Sequence, residues 1–106
     1  MFKKKMISAK KAQELTKRGM DRKSKARIKE VTTHINNYIE ISAMQGDTYT
    51  VYHCYDNGTL PMINAQRIQE HYCALGYKVE LKVEEPNDYS IYSRYTFVVD
   101  WSDYND

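Results

Sequence analysis

HYCALGYKVELKV, residues 71–83, is the stretch that decides the fold, because its hydrophobic period changes at the central glycine. Upstream, apolar residues recur at three and four positions, as on one helix face. Downstream they alternate, as on a half-buried strand. Gly76 falls just past the helix C-cap, where the backbone must be left-handed and glycine adopts that conformation without a steric penalty. Tyr77 is then placed to pack back on Tyr72, so helix, stop and strand form one predicted unit.

The rest of the chain extends this unit to an α+β domain. Ser8 is placed to cap a helix, and a stripe of apolar residues at helical spacing runs from Ala26 to Met44. Between them, Gly19 and the polar segment 20–25 predict either a break or a solvated continuation of the helix. Residues 48–55 are β-branched and aromatic, and residues 95–101 alternate, as strands do.

The predicted architecture is a long N-terminal helical segment followed by β-α-β-β. Helices cover one face of the three-stranded sheet, and the third strand lies either at the centre or at an edge. We expect a basic N-terminal helical arm at 1–23, a single α+β domain at 24–101 and an acidic tail at 102–106. No stretch approaches the roughly 20 apolar residues of a membrane span, and no apolar run follows the basic start.

Charge is distributed very unevenly along the chain. Residues 1–30 contain twelve Lys and Arg against three acids, a balance of +9, whereas residues 31–106 contain four against eleven, a balance of −7. Such asymmetry indicates a basic arm that meets nucleic acid, an acidic partner or the acidic part of another copy. The candidate contact residues are Lys10, Lys11, Lys17, Arg18, Arg22, Lys23, Lys25 and Arg27. We expect their charges to be spread all round the helix, which suits contact with phosphates rather than bases.

No pattern of catalytic residues is found. The sequence lacks a Ser/His/Asp order, a paired-carboxylate motif, a phosphate-binding glycine loop and an H-x-E signature, so a non-enzymatic role is predicted. Two cysteines without C-x-x-C spacing are expected to be reduced core thiols. A metal site from His53, Cys54, His71 and Cys73 is disfavoured, because neighbouring strand residues point to opposite faces. We expect no cofactor.

Three segments together resemble a known group of proteins: the start ISAKKA at 7–12 with a long basic helix, the junction LGYKV at 75–79, and the final strand YTFVVDWS at 95–102. The chain is similar over roughly 7–102 to small virion-associated or uncharacterised proteins of tailed bacteriophages. The resemblance implies a phage accessory protein located in the host cytoplasm or the virion, and it implies no catalytic residues.

Ten tyrosines in 106 residues favour contact surfaces, because tyrosine combines a large apolar ring with a polar tip. The leading hypothesis is an accessory protein that acts by protein–protein interaction, as an oligomeric virion component or a modulator of a host factor. Its contact residues would be Tyr89, Tyr92, Tyr95 and Tyr52, and small size favours a homo-oligomer. The alternative is a non-sequence-specific nucleic-acid-binding protein that uses the basic arm.

Overall fold

A computed structural model describes residues 6–89 and 91–104. Five elements follow one another along the chain: α1 (Ala9–Met44), β1 (Tyr49–Tyr55), α2 (Met62–Ala74), β2 (Lys78–Glu84) and β3 (Arg94–Asp100). Both helices pack on one face of the three-stranded sheet. The predicted α+β class and element order are therefore confirmed.

Strand β3 lies at the centre of the sheet, in the order β1-β3-β2, and pairs antiparallel with both neighbours. The sequence left this position open. Its alternating residues Tyr95, Phe97 and Val99 are all at most 2% exposed, so β3 is the most deeply buried strand. Consequently β1 and β2 run parallel to each other and are both edge strands.

The junction after α2 has the predicted geometry. Leu75 is the C-cap and Gly76 has φ +102°. The Tyr77 N–H donates to the Tyr72 carbonyl and the Gly76 N–H to the Cys73 carbonyl, both at 3.1 Å, which is the Schellman pattern. The Tyr77 ring meets the Tyr72 ring edge-on with centroids 5.9 Å apart. The end of α1 repeats this pattern with Gly46 at φ +89°.

The hydrophobic core lies between the helices and the sheet. Val31 and Ile35 of α1 are fully buried against it, as are Ile68 and Tyr72 of α2. The Tyr72 hydroxyl donates to Asn36 Oδ1 at 2.6 Å, with the Thr32 carbonyl 3.1 Å away as a second acceptor. This hydroxyl ties α2 to α1 through the core.

Helix α1 is continuous through Gly19, so the predicted solvated continuation is the alternative that the structure shows. Ser8 caps it by accepting the Lys11 N–H at 3.1 Å, as predicted. We call residues 9–26 the free half, because contact with the sheet begins at Arg27, and residues 27–44 the packed half. The free half gives the molecule its length of 67 Å against a thickness of 21 Å.

Candidate functional site

The open sheet face is the side of the sheet that no helix covers. Its cross-strand rows are Tyr49–Asp100–Lys78, Val51–Val98–Glu80, His53–Thr96–Lys82 and Tyr55–Arg94–Glu84. On this face β1 presents two tyrosines, a valine and a histidine, whereas β2 presents only alternating charges. Charged edges resist pairing with other chains, so the β1 side is the less protected one.

The exposed groups on the two sides of the open sheet face differ in chemistry. Tyr49 and Tyr55 are 54% and 44% exposed at opposite ends of β1. On the β2 side, Glu84 lies 3.8 Å from the Arg94 guanidinium in a solvent-exposed ion pair. Aromatic surface that is half in water is typical of contact regions, and solvated ion pairs are not.

The tyrosine loop, residues 85–93, adjoins the Tyr55 end of this face. It connects β2 to β3, and the Asp56 N–H donates to the Ser93 carbonyl at 3.0 Å. Tyr89 is 98% exposed, Ile91 80% and Tyr92 42%. The structure therefore brings the predicted residues Tyr89 and Tyr92 to the same end of the molecule as Tyr55.

Two of the predicted contact tyrosines are buried instead. Tyr52 and Tyr95 are 9% and 2% exposed, and both project from the helix-covered side of the sheet. Burial raises the pKa of both hydroxyls. The prediction that these rings lie on an exposed surface is wrong, because alternation places Tyr52 opposite Phe97 in the core. Tyr49 and Tyr55 take that place on the surface.

Five basic residues line one side of α1, and we call them the basic stripe: Lys11, Arg18, Arg22, Lys25 and Lys29. At about 100° per residue they fall within about 60° of arc. All are exposed, and none forms an ion pair with another described residue. The basic residues of α1 as a whole lie on several sides, as expected, but these five fall on one line. Lys10, Lys17 and Lys23 lie on other sides.

Arg27, one of the predicted contact residues, is engaged within the molecule. Its side chain is 15% exposed, ion-paired to Glu30 at 3.1 Å, and donates from Nη2 to the Tyr55 carbonyl at 3.1 Å. It serves to join α1 to the end of β1. Lys3, Lys4 and Lys5, the first part of the expected arm, lie outside the described residues, as do the last two residues of the expected tail.

The cysteines and histidines are dispersed. Cys54 is buried, which raises the pKa of its thiol to about 11, whereas Cys73 is exposed, so the prediction of two core thiols holds only for Cys54. His53 Nδ1 lies 2.8 Å from Thr96 Oγ1 on the open sheet face, and His71 meets Tyr72 edge-on. Among the described residues, no three His, Cys, Asp or Glu side chains form a metal-binding group.

A cavity that the sequence did not indicate lies where α1 and α2 both end. It has a volume of about 310 Å³ and we call it the aromatic cavity; it is lined by Ile39, Ala43, Leu75, Gly76, Tyr77, Trp101 and Tyr104. The signals that could have found it are the single tryptophan directly after β3 and the tyrosine three residues later. From the sequence, Trp101 was expected at the end of the last strand and Tyr104 in the acidic tail, with no binding role for either.

Within the described part of the chain, no helix has the length and hydropathy needed to cross a membrane. No protein-family model, curated protein or solved structure significantly matches the chain.

Proposed function

We propose that this protein is a non-enzymatic accessory protein that acts by binding another protein through the β1 side of its open sheet face and the tyrosine loop. The observation that carries the proposal is the uncovered aromatic edge. Tyr49 and Tyr55 flank the half-buried Val51 on a strand that has no second neighbour among the described residues. An extended partner segment could pair with β1, and the tyrosines would select its side chains.

The tyrosine loop enlarges this surface. Tyr89 and Ile91 are 98% and 80% exposed on the loop whose Ser93 end is hydrogen-bonded to the residue after Tyr55. Contiguous exposed apolar groups are typical of interaction sites in small proteins. A host or phage protein as the partner follows only from the sequence resemblance and stays a prediction.

Site-specific photocrosslinking in the cells that make the protein tests this role. A photoreactive phenylalanine at Tyr55 or Tyr89 should yield a discrete adduct with one partner protein. The matched control is the same group at Lys82, on the charged side of the same face. Adducts of equal yield from all three positions, or from none, would contradict the proposal.

A second candidate function is non-specific binding to nucleic acid, and the basic stripe is the observation that favours it. Five cations along a rigid helix can each displace a counterion from phosphate. On this hypothesis the double variant Arg18→Gln/Arg22→Gln flattens the plot of log K against log salt for duplex DNA by about two units, at about 0.9 per contact. Binding that is negligible at about 150 mM salt would exclude it.

A further inference from the structure

The aromatic cavity is built to hold a group that is both apolar and positively charged. None of the side chains that line it carries a charge, and three of them are the aromatic rings of Tyr77, Trp101 and Tyr104. Tyr77 and Trp101 meet edge-to-face, with centroids 6.0 Å apart. Aromatic faces attract cations electrostatically, and arginine is the side chain most often found against them.

Two helix ends add negative potential to this cavity. Ala43 in the last turn of α1 and Leu75, the C-cap of α2, both line the cavity, so the C-terminal ends of both helices lie beside it. Each helix C-terminus carries roughly half a negative charge from its aligned peptide dipoles. The last turn of α1 contains no basic residue to neutralise it.

Acidic side chains lie immediately beside the cavity. Asp100 and Asp103 line an adjoining pocket that shares the Tyr104 ring, against Lys78 as the basic residue there. A hydrogen bond from the Ser102 N–H to Asp100 at 2.8 Å lowers the pKa of that carboxyl, which keeps it charged. Lys78 is engaged by Asp103 at 3.2 Å. A cation that enters the cavity therefore meets net negative surroundings.

The Tyr104 ring can lie against the cavity because Gly76 has no side chain to occupy that space. A Cβ on Gly76 would lie 2.8 Å from Tyr104 Cε2, which is closer than two non-bonded carbon atoms approach. The glycine that ends α2 thus also makes room for one wall of the cavity. This second role connects the decisive junction of the fold to a binding site.

We propose that the aromatic cavity of one molecule receives Arg18 or Arg22 from the basic stripe of a second copy. Charge complementarity identifies the occupant, since the five exposed cations of the basic stripe form no ion pair with another described residue and lie on the same helix whose C-terminal end lines the cavity. A molecule cannot fill its own cavity. The 21 residues from Arg22 to Ala43 span about 32 Å of continuous helix at 1.5 Å each.

The contact joins two different surfaces, so the assembly is either a two-fold dimer in which each copy fills the other's cavity, or a head-to-tail ring or chain. It rests on the proposed interaction role but uses neither the open sheet face nor the tyrosine loop. Because both sides are partly exposed to solvent, added salt should weaken it.

Sedimentation velocity of the full chain tests the inference through complementation. Arg18→Gln/Arg22→Gln removes the donor and Tyr104→Ala removes a cavity wall, so each variant alone should be monomeric where the unmodified protein assembles. Their equimolar mixture should form a dimer and nothing larger, because one intact donor meets one intact cavity. The matched control Lys10→Gln/Lys17→Gln removes the same charge from another side of α1 and should weaken self-association less than threefold, against at least tenfold for the donor variant.

Trp101 is the only tryptophan in the chain, so intrinsic fluorescence reports on the cavity directly. A synthetic peptide of residues 8–29 should change that emission, and the Arg18→Gln/Arg22→Gln peptide should not. Equal effects of the two peptides would indicate an apolar occupant and overturn the proposal.

An unmodified protein that stays monomeric at low salt, or a monomeric mixture of the two variants, would likewise overturn it. Assembly that survives Tyr104→Ala but is lost in Tyr49→Ser/Tyr55→Ser would exclude the cavity while supporting the interaction role of the sheet face.

Discussion

The free half and the packed half of α1 share one helix but differ in what stabilises them. In the packed half, Val31 and Ile35 are fully buried, whereas in the free half Leu15 and Met20 are 42% and 62% exposed. Burying one such side chain contributes about 1.5–3 kcal/mol, and the free half has no equivalent. It depends on residue propensity, the Ser8 cap and continuity with the packed half. A single helix can therefore be a core element at one end and an exposed contact element at the other.

The strongest test of this difference compares two substitutions that each replace an apolar side chain by alanine. Ile35→Ala should lower the free energy of unfolding by about 2–4 kcal/mol, because it leaves a cavity in the core. Leu15→Ala should change the free energy of unfolding by less than about 0.5 kcal/mol, because the Leu15 side chain does not pack in the core and is 42% exposed. Urea denaturation measures both values. Equal costs would show that the free half is packed against something in solution.

The second prediction concerns alkaline pH, which should weaken a contact that is made to the packed half of α1. Burial raises the pKa of the Tyr72 hydroxyl to about 12 from 10.0, and this group bonds only to the packed half of α1. The stability it contributes is complete below pH 10 and is lost as pH rises towards 12, because the unfolded chain releases the proton first. The loss should be on the order of 2 kcal/mol.

Denaturation at pH 9 and pH 11.5 measures this loss, with Tyr72→Phe as the control. Phenylalanine cannot ionise, so the variant should lose less stability over the same interval. The raised pKa of Cys54 adds to the alkaline loss in both proteins and therefore cancels in the comparison.

The smallest effects concern two glycines. Gly76→Val should cost at least about 1 kcal/mol, because φ is +102° there and Tyr104 fills the space. Gly19→Ala should instead stabilise the free half locally by up to about 1 kcal/mol, because Gly19 is helical with nothing within 4 Å of an added Cβ. Thermal melting reports the first, and far-UV circular dichroism the second. Any drop in helicity for Gly19→Ala would show that close approach to a partner needs that glycine.

The ends of the helices could be predicted from the sequence, because helix capping depends on a few neighbouring residues. Ser8 and Gly76 each meet a conformational or hydrogen-bonding requirement that few other residues meet, so the start of α1 and the end of α2 could be placed. The continuity of α1 at Gly19 could not be settled, because the cost of one helical glycine is close to what its neighbours offset.

The candidate surfaces were harder to predict, for a physical reason. Both sides of β1 carry aromatic or β-branched residues, so alternation alone did not tell which side faces the core, and Tyr52 was placed outside. The aromatic cavity joins residues from positions 39 to 104, and only the packing of both helix ends brings them together. The basic stripe needed an unbroken helix before its spacing could be read as one line.

The central position of β3 has a consequence for how the chain folds. The tyrosine loop joins β2 directly to β3, but the pairing of β3 with β1 is non-local, since Asp100 pairs with Tyr49. Such non-local pairing slows folding, because the entropy of loop closure is lost before the contact forms. During synthesis, β1 and β2 leave the ribosome without the strand that both require. We therefore expect the helices, whose contacts are local, to form before the sheet, and the sheet to be completed late, when β3 pairs with both edge strands.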